Sequence, residues 1–236
     1  MSSTILICGK SISELFYESL IAEDRWQLYL KGMANTLVMS LLAILIGVLI
    51  GLSIAVIKNV HINTGKLTIL DKICNLYVTL IRGIPMMLQL SIMYFIVFAS
   101  GEPVIVAAIA FGINSGAYVA EIFRAGILSV DKGQMEAGRS LGVSYGKTMA
   151  KIIIPQALKN SIPPLGNEFI ALIKETAIVG GIAIVDLTKA ANNIGKATAE
   201  YFIPLIIAAI FYLVIVIALT QLMKFIERRL SRSDKR

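Results

Sequence analysis

Glu168, Lys174 and Glu175 lie inside one otherwise apolar stretch, Ile162 to Val185, and are the side chains best placed to do chemistry. A charge at the centre of a membrane costs about 2.5–3.5 kcal/mol on insertion scales, so these three should face other helices or a wet cavity and not lipid. Two readings are open. They could touch the ammonium and carboxylate of a small zwitterion, or they could form an ion-pair network that holds helices together. Asn114, Tyr118 and Glu121 fall at i, i+4 and i+7, on one face of a helix. With Gln89 they could wall a pore, or bond between helices. Binding and passage fit these residues better than catalysis, because no nucleophile–base pair or metal constellation accompanies them.

The remaining reactive residues exclude more than they suggest. His61 is the sole histidine and reads as a solvated loop residue, so zinc and histidine-dependent chemistry are not expected. Cys8 and Cys74 are far apart and build no disulfide framework or metal site. Gly142-Val143-Ser144-Tyr145-Gly146-Lys147-Thr148 looks superficially like a phosphate-binding loop, but it is one residue short between its glycines and follows no strand. No metal site and no cofactor are expected in this chain.

The elements that must position these residues are membrane helices. Of 236 residues, 57% are hydrophobic and the mean hydropathy is +0.80, which is too apolar for a soluble domain of this length. The net charge of +7 does not imply nucleic acid, because the basic residues flank apolar runs with no aromatic–basic patch. Five spans are expected, at 36–56, 84–100, 103–120, 162–185 and 201–223. The fold class is therefore all-α integral membrane, with a cytosolic loop at 121–161. Gly47-x-x-x-Gly51 and Gly112-x-x-x-Gly116 permit close helix approach, without naming a partner. Residues 66–81 read either as an extra helical turn or as an in-plane helix that enters the membrane at Gly83-Ile84-Pro85. No cleavable signal peptide, lipid-attachment cysteine or internal repeat is visible.

Basic residues set the orientation. Sixteen of the 22 Lys and Arg fall on one side of such a five-span layout, and five on the other. The N-terminus is expected outside, the C-terminus and the 121–161 loop in the cytosol. Ser13 to Lys31 reads as an interfacial helix on the outer surface, within an extracytoplasmic segment 1–31, with Trp26 and Tyr29 at headgroup level. The basic stretch 228–236 reads as a topology anchor.

The long loop has structure of its own. Asp131 to Leu141 has helix-forming character, Gly142 is placed to end that helix, and Ser144 can cap a second one through Lys147 to Ile153, with Pro155 after it. Met135, Leu141 and Tyr145 are available for packing. A membrane anchor needs no such element, but a docking element does.

Glu136-Ala137-Gly138, then Gly142, then Ile152-Ile153-Ile154-Pro155 resembles the EAA loop of type I ABC importer permeases, with Gly138 and Ile154 replacing an Ala and a Leu of that pattern. Arg82-Gly83-Ile84-Pro85 with Gln89, Ala117 to Glu121 with Arg124 to Ile127, and Leu165-Gly166-Asn167-Glu168-Phe169 with Lys174-Glu175-Thr176 resemble segments of polar amino-acid permeases. The likeness runs from about Gly32 to Glu227, over a transmembrane domain at 32–227. It implies a multi-pass protein of the bacterial cytoplasmic membrane, without enzymatic activity of its own. It further implies a second permease chain, identical or sibling, ATPase subunits that bind ATP and Mg, and an extracytoplasmic solute-binding protein. On that resemblance Glu136, Ala137, Gly138, Gly142, Ile152 and Pro155 couple to the ATPase. Gln89, Asn114, Tyr118, Asn167, Glu168, Lys174 and Glu175 are candidates for the substrate pathway. The rival reading is an ion-coupled secondary amino-acid transporter, supported by the charged fourth span but lacking inverted repeats.

Overall fold

The computed structural model describes residues 6–7, 10–182 and 184–232. Cys8 and the last four residues of the basic tail lie outside them. Apart from a two-residue antiparallel pairing of Leu6–Ile7 with Lys10–Ser11, the described chain is helical. In order come α1 (Ile12–Phe16), α2 (Trp26–Thr64), α3 (Thr68–Gly83), α4 (Met86–Ile92), α5 (Pro103–Leu128), α6 (Lys132–Ser140), α7 (Tyr145–Thr148), α8 (Ile154–Glu175), α9 (Leu187–Thr198) and α10 (Phe202–Arg232). By length and composition α2, α5 and α10 can each cross a membrane, and α3 with the α4 segment can form a fourth, broken span bent by 106°.

The centre of the molecule is the α2–α5 pair, and small residues explain it. The two glycine motifs pack on each other: a Cβ on Gly47 would lie 2.9 Å from Ser115 Oγ, and one on Gly112 would lie 2.6 Å from Ile46 Cβ. In lipid there is no hydrophobic drive between helices, so close backbone approach and van der Waals contact must supply the association. The Tyr77 hydroxyl donates to the Ile113 carbonyl and ties α3 to the same face of α5.

Several expected boundaries shift. The first span is part of a 39-residue helix, about 58 Å long at 1.5 Å per residue, well over a bilayer's hydrocarbon thickness. The helix expected over 13–31 is divided: α1 and a following π-turn, Tyr17–Ile21, form a short separate piece, and residues 26–31 belong to α2. Positive φ at Glu23 and Asp24 breaks the chain just before α2 begins at Trp26. Tyr29 is fully buried and stacks on Phe211 at 5.8 Å, so its ring packs in the core. His61 is in the last turn of α2, with Nδ1 3.0 Å from the Lys66 carbonyl, and is not a loop residue.

The 162–185 span differs most. Helix α8 starts eight residues earlier and stops at Glu175; a 3-10 turn, Thr176–Gly181, follows. The chain then lies against α2, where Asn35 Nδ2 donates to the Val185 carbonyl at 2.9 Å. Asp186 opens α9 by accepting from the Thr188 and Lys189 amides, each at 2.9 Å, and from the Tyr212 hydroxyl at 3.3 Å. Charges and amides, with two interior prolines that leave backbone carbonyls without donors, make α8 unsuited to stand in lipid by itself. It is seated against α5, where a Cβ on Gly126 would lie 2.8 Å from the Ala157 carbonyl, and against α10, where Gly166 meets Met223.

Candidate functional site

The loop beyond α5 is a rigid two-helix elbow. The Asp131 carboxylate accepts from the Gly133 amide at 2.6 Å and starts α6. At the other end the Gly142 amide donates to the Arg139 carbonyl and the Val143 amide to the Gly138 carbonyl, both at 3.0 Å. That pair of bonds is a Schellman stop, and it needs a left-handed residue between them. Gly142 supplies it with φ +77°. Ser144 precedes α7 as expected, but its side chain caps nothing; its carbonyl accepts from the Thr148 amide at 2.9 Å.

The elbow has an inner and an outer face. Val130, Met149, Ile153 and Ala157 are buried beneath it, with Met135, Tyr145 and Ile152 packed against them. Gly138 is buried because α6 crosses Thr148: a Cβ there would lie 2.6 Å from Thr148 Cγ2. Glu136, Ala137 and Gly142 face outward. Leu141 does not pack; it is 83% exposed at the tip.

Pro155 does not end the second helix. The chain stays helical from Tyr145 to Glu175 through a π-turn, Met149–Ile153, in which the Ile154 amide reaches back five residues to the Met149 carbonyl. A proline has no amide hydrogen for the carbonyl four residues before it, and a π-turn is one way to absorb that loss. Gln156 Nε2 covers the neighbouring Ile152 carbonyl at 2.9 Å.

A second cluster lies along α5 and α8. Arg82, Tyr118, Glu121, Asn160 and Glu168 line one open groove of about 460 Å3. The Arg82 guanidinium sits 5.1 Å from the centre of the Tyr118 ring, and Ser115 Oγ donates to Glu168 Oε1 at 2.7 Å. Glu121 pairs with Arg124 on its own helix. Gln89 and Asn114 are buried together, with Asn114 Nδ2 donating to Gln89 Oε1 at 3.3 Å. Asn167, Lys174 and Glu175 are exposed on this chain. Among the described residues no salt bridge within this chain joins Glu168, Lys174 or Glu175. Lys174 and Glu175 lie a turn and a half or more beyond Glu168 along α8, too far for close contact.

Residues 47–232 match the family of binding-protein-dependent transport system inner membrane components. The chain belongs to that family. Among its relatives the arginine transport system permease protein ArtQ of Bacillus subtilis is 41% identical over 214 residues, covering 87% of this chain and 93% of ArtQ. The L-cystine transport system permease protein TcyB of the same organism is 36% identical over 217 residues, covering 90% of this chain and 91% of TcyB. A chain from the crystal structure of an amino acid ABC transporter with histidines superposes with a TM-score of 0.79 at 42% identity, covering 86% of this chain and 94% of that one. The chain is an ABC amino-acid permease, a multi-pass inner-membrane protein, and not a secondary transporter.

Within the permease, the Gln89 geometry has a direct physical cause. Pro85 opens α4 and cannot donate to the Ile81 carbonyl, which is left exposed at the 106° bend. Gln89 Nε2 replaces the missing donor, at 2.7 Å from the Ile81 oxygen and 2.8 Å from that of Ile84. Gln89→Leu is expected to destabilise the permease by about 1–3 kcal/mol, since two part-buried carbonyls at the bend lose their donor and Asn114 loses its buried partner. A thermal-denaturation series in detergent checks this; an unshifted melting point would show that the amide is not holding the bend.

Sequence reading did not single out Ser115, Asn160, Thr148 or Asp186. Ser115 and Glu168 are 53 positions apart, and no local spacing links them. Asp186 carried one usable signal, an acidic residue just before a helix-forming run, which is the pattern of an N-cap.

Proposed function

We propose that this permease moves a polar amino acid inward across the cytoplasmic membrane, driven by ATP hydrolysed on separate subunits. The observation that carries the coupling is the elbow: a buried apolar floor, a Schellman stop at Gly142 and an outward tip of Glu136, Ala137, Leu141 and Gly142. A rigid protrusion of that kind can transmit a push to α8, because α7 and α8 form one continuous helical rod. Gly138 and Ile152 shape the elbow from inside, and Pro155 marks where the rod passes from it into the α8 bundle. ATP and Mg bind the ATPase, not this chain. The basic-residue bias supports a cytosolic elbow and C-terminus and an outside N-terminus.

The groove supports an amino acid as cargo. Arg82 suits a substrate carboxylate, while Glu168 suits an ammonium; Tyr118 and Asn160 add neutral donors and acceptors. Asn167, Lys174 and Glu175, open on this chain, suit a place across from a second permease chain in the assembled pathway. Gln89 and Asn114 shape that wall from behind, since their side chains already satisfy each other and the α3–α4 bend. A solute-binding protein would deliver the amino acid from outside.

The test is reconstitution in liposomes with the co-purifying ATPase and binding protein. Uptake of labelled arginine or another polar amino acid that requires ATP inside supports the reading. Uptake by this chain alone, driven by an ion gradient, overturns it.

A further inference from the structure

We infer that Ser115 is a positioning residue: it holds the Glu168 carboxylate so that its second oxygen receives the α-ammonium group of an amino acid in the groove. The inference rests on the groove being part of the amino-acid pathway. A serine inside a helix can bond back to the carbonyl four residues before it. Ser40, Ser53, Ser91 and Ser161 all do so in this protein, each at 2.8 Å. Ser115 does not. Fully buried on α5, it reaches across to α8 and donates to Glu168 Oε1 at 2.7 Å. Among the described residues no other group donates a hydrogen bond to that carboxylate.

Helix α2 leaves room for this arrangement. A Cβ on Gly47 would lie 2.9 Å from Ser115 Oγ and 3.0 Å from Ser115 Cβ, so α2 has a glycine where α5 carries the hydroxyl. Gly47, Ser115 and Glu168 thus join three helices in one line. Tyr118 is three residues beyond Ser115, on the same face of α5, and lines the groove together with Glu168.

The charges in the groove select the ligand group. Glu121 is paired with Arg124, and the Arg82 guanidinium lies over the Tyr118 ring. Glu168 is the other carboxylate of the lining, and among the described residues no salt bridge engages it. Ser115 takes Oε1, and Oε2 accepts from no described group, so a cationic donor in the groove has one oxygen to meet. Bonds from an ammonium to a carboxylate are among the stronger hydrogen bonds. A flexible Glu side chain loses rotamer freedom when it makes one, and a side chain already held in place loses less.

Competition binding to the permease–ATPase complex in nanodiscs, without ATP or binding protein, tests the role. The probe is the labelled amino acid that the liposome assay takes up best from the standard set. The competitors are that amino acid and its 2-hydroxy acid, in which a hydroxyl replaces the ammonium. In the parent the hydroxy acid should compete about tenfold less well. Ser115→Ala should shrink that preference about fivefold, and Glu168→Gln should remove it. In the Glu168→Gln background Ser115→Ala should change neither affinity further, because its route to the ligand is gone. Ser53→Ala, which removes a back-bonded serine, should behave like the parent. If Ser115→Ala fails to assemble, Ser115→Cys, close in size but a weak donor, takes its place. A preference unchanged by loss of the hydroxyl, or affinities that still shift in the Glu168→Gln background, overturns the positioning role. A hydroxy acid that competes as well as the amino acid in the parent, or no saturable binding at all, overturns the ammonium assignment while ATP-driven uptake leaves the transport reading standing. Absence of ATP-driven uptake overturns that reading and this proposal with it.

Discussion

Gly51→Leu is expected to abolish a stably folded permease, and Gly51→Ala to lower its melting temperature on the order of 10 °C, read by size-exclusion chromatography of the heated protein. The cause is backbone contact. A Cβ on Gly51 would lie 2.7 Å from the Ala120 amide nitrogen and 2.6 Å from Val119 Cγ1. A side chain can swing aside, but a backbone nitrogen inside α5 cannot, so α2 and α5 must separate. Overpacking of this kind costs about 1–3 kcal/mol for one methyl, and more when whole helices move. Hydrocarbon lipid solvates separated helices nearly as well as each other, so little restores the contact once lost. Gly83→Ala is the control: nothing lies within 4 Å of its Cβ position, and it should leave the melting point unchanged or slightly raised. A Gly51→Leu protein that melts like the parent would show that the two glycine motifs do not carry the fold.

That result would bear on what the sequence could reveal. Both glycine motifs were readable, since small residues four apart on an apolar helix announce close packing. That they pack on each other was not, because 65 residues separate Gly47 from Gly112 and periodicity carries no pairing information. The elbow was readable for the opposite reason: its parts are local. Asp131 as a start and Gly142 as a stop act within a few residues, and the structure has both.

Local reading failed where a remote contact won. Ile162 to Val185 looked like one span because hydropathy runs through it. The chain instead leaves helix at Thr176 and docks on α2 through Asn35 and Thr36, whose partners lie about 150 residues away. Pro155 looked like a terminator, and a π-turn carried the helix past it. Gln89 and Asn114 were open to two readings, pore wall or bonds between helices, and local spacing did not show that their amides are taken up by each other and by the carbonyls at the Pro85 bend. In each case the deciding group was a backbone acceptor needing a donor, a demand that residue type alone does not display.

Gly142→Asp is expected to leave the permease folded while releasing its ATPase. A Cβ at position 142 meets nothing within 4 Å, so the substitution creates no clash inside this chain. It acts on the bend. Left-handed backbone costs an ordinary L-residue roughly 1–2 kcal/mol and Asp somewhat less, and a carboxylate there faces the partial negative charge of the α6 carbonyl end. Both effects push the Schellman stop open and shift the tip that carries Leu141. Gly142→Asn separates the causes, because asparagine tolerates the left-handed region and adds no charge; it should retain most of the ATPase. Gly142→Val, whose β-branch resists that region, should behave like Asp although it is neutral. The measurement is the ratio of ATPase to permease after affinity purification, taken with ATP-driven uptake and with the melting point of each variant. Melting points close to the parent, with ATPase lost in Asp and Val but kept in Asn, would tie coupling to the geometry of this one bend. Full ATPase retention and transport in both the Asp and Val variants would remove Gly142 from the coupling path and leave the elbow without a demonstrated partner.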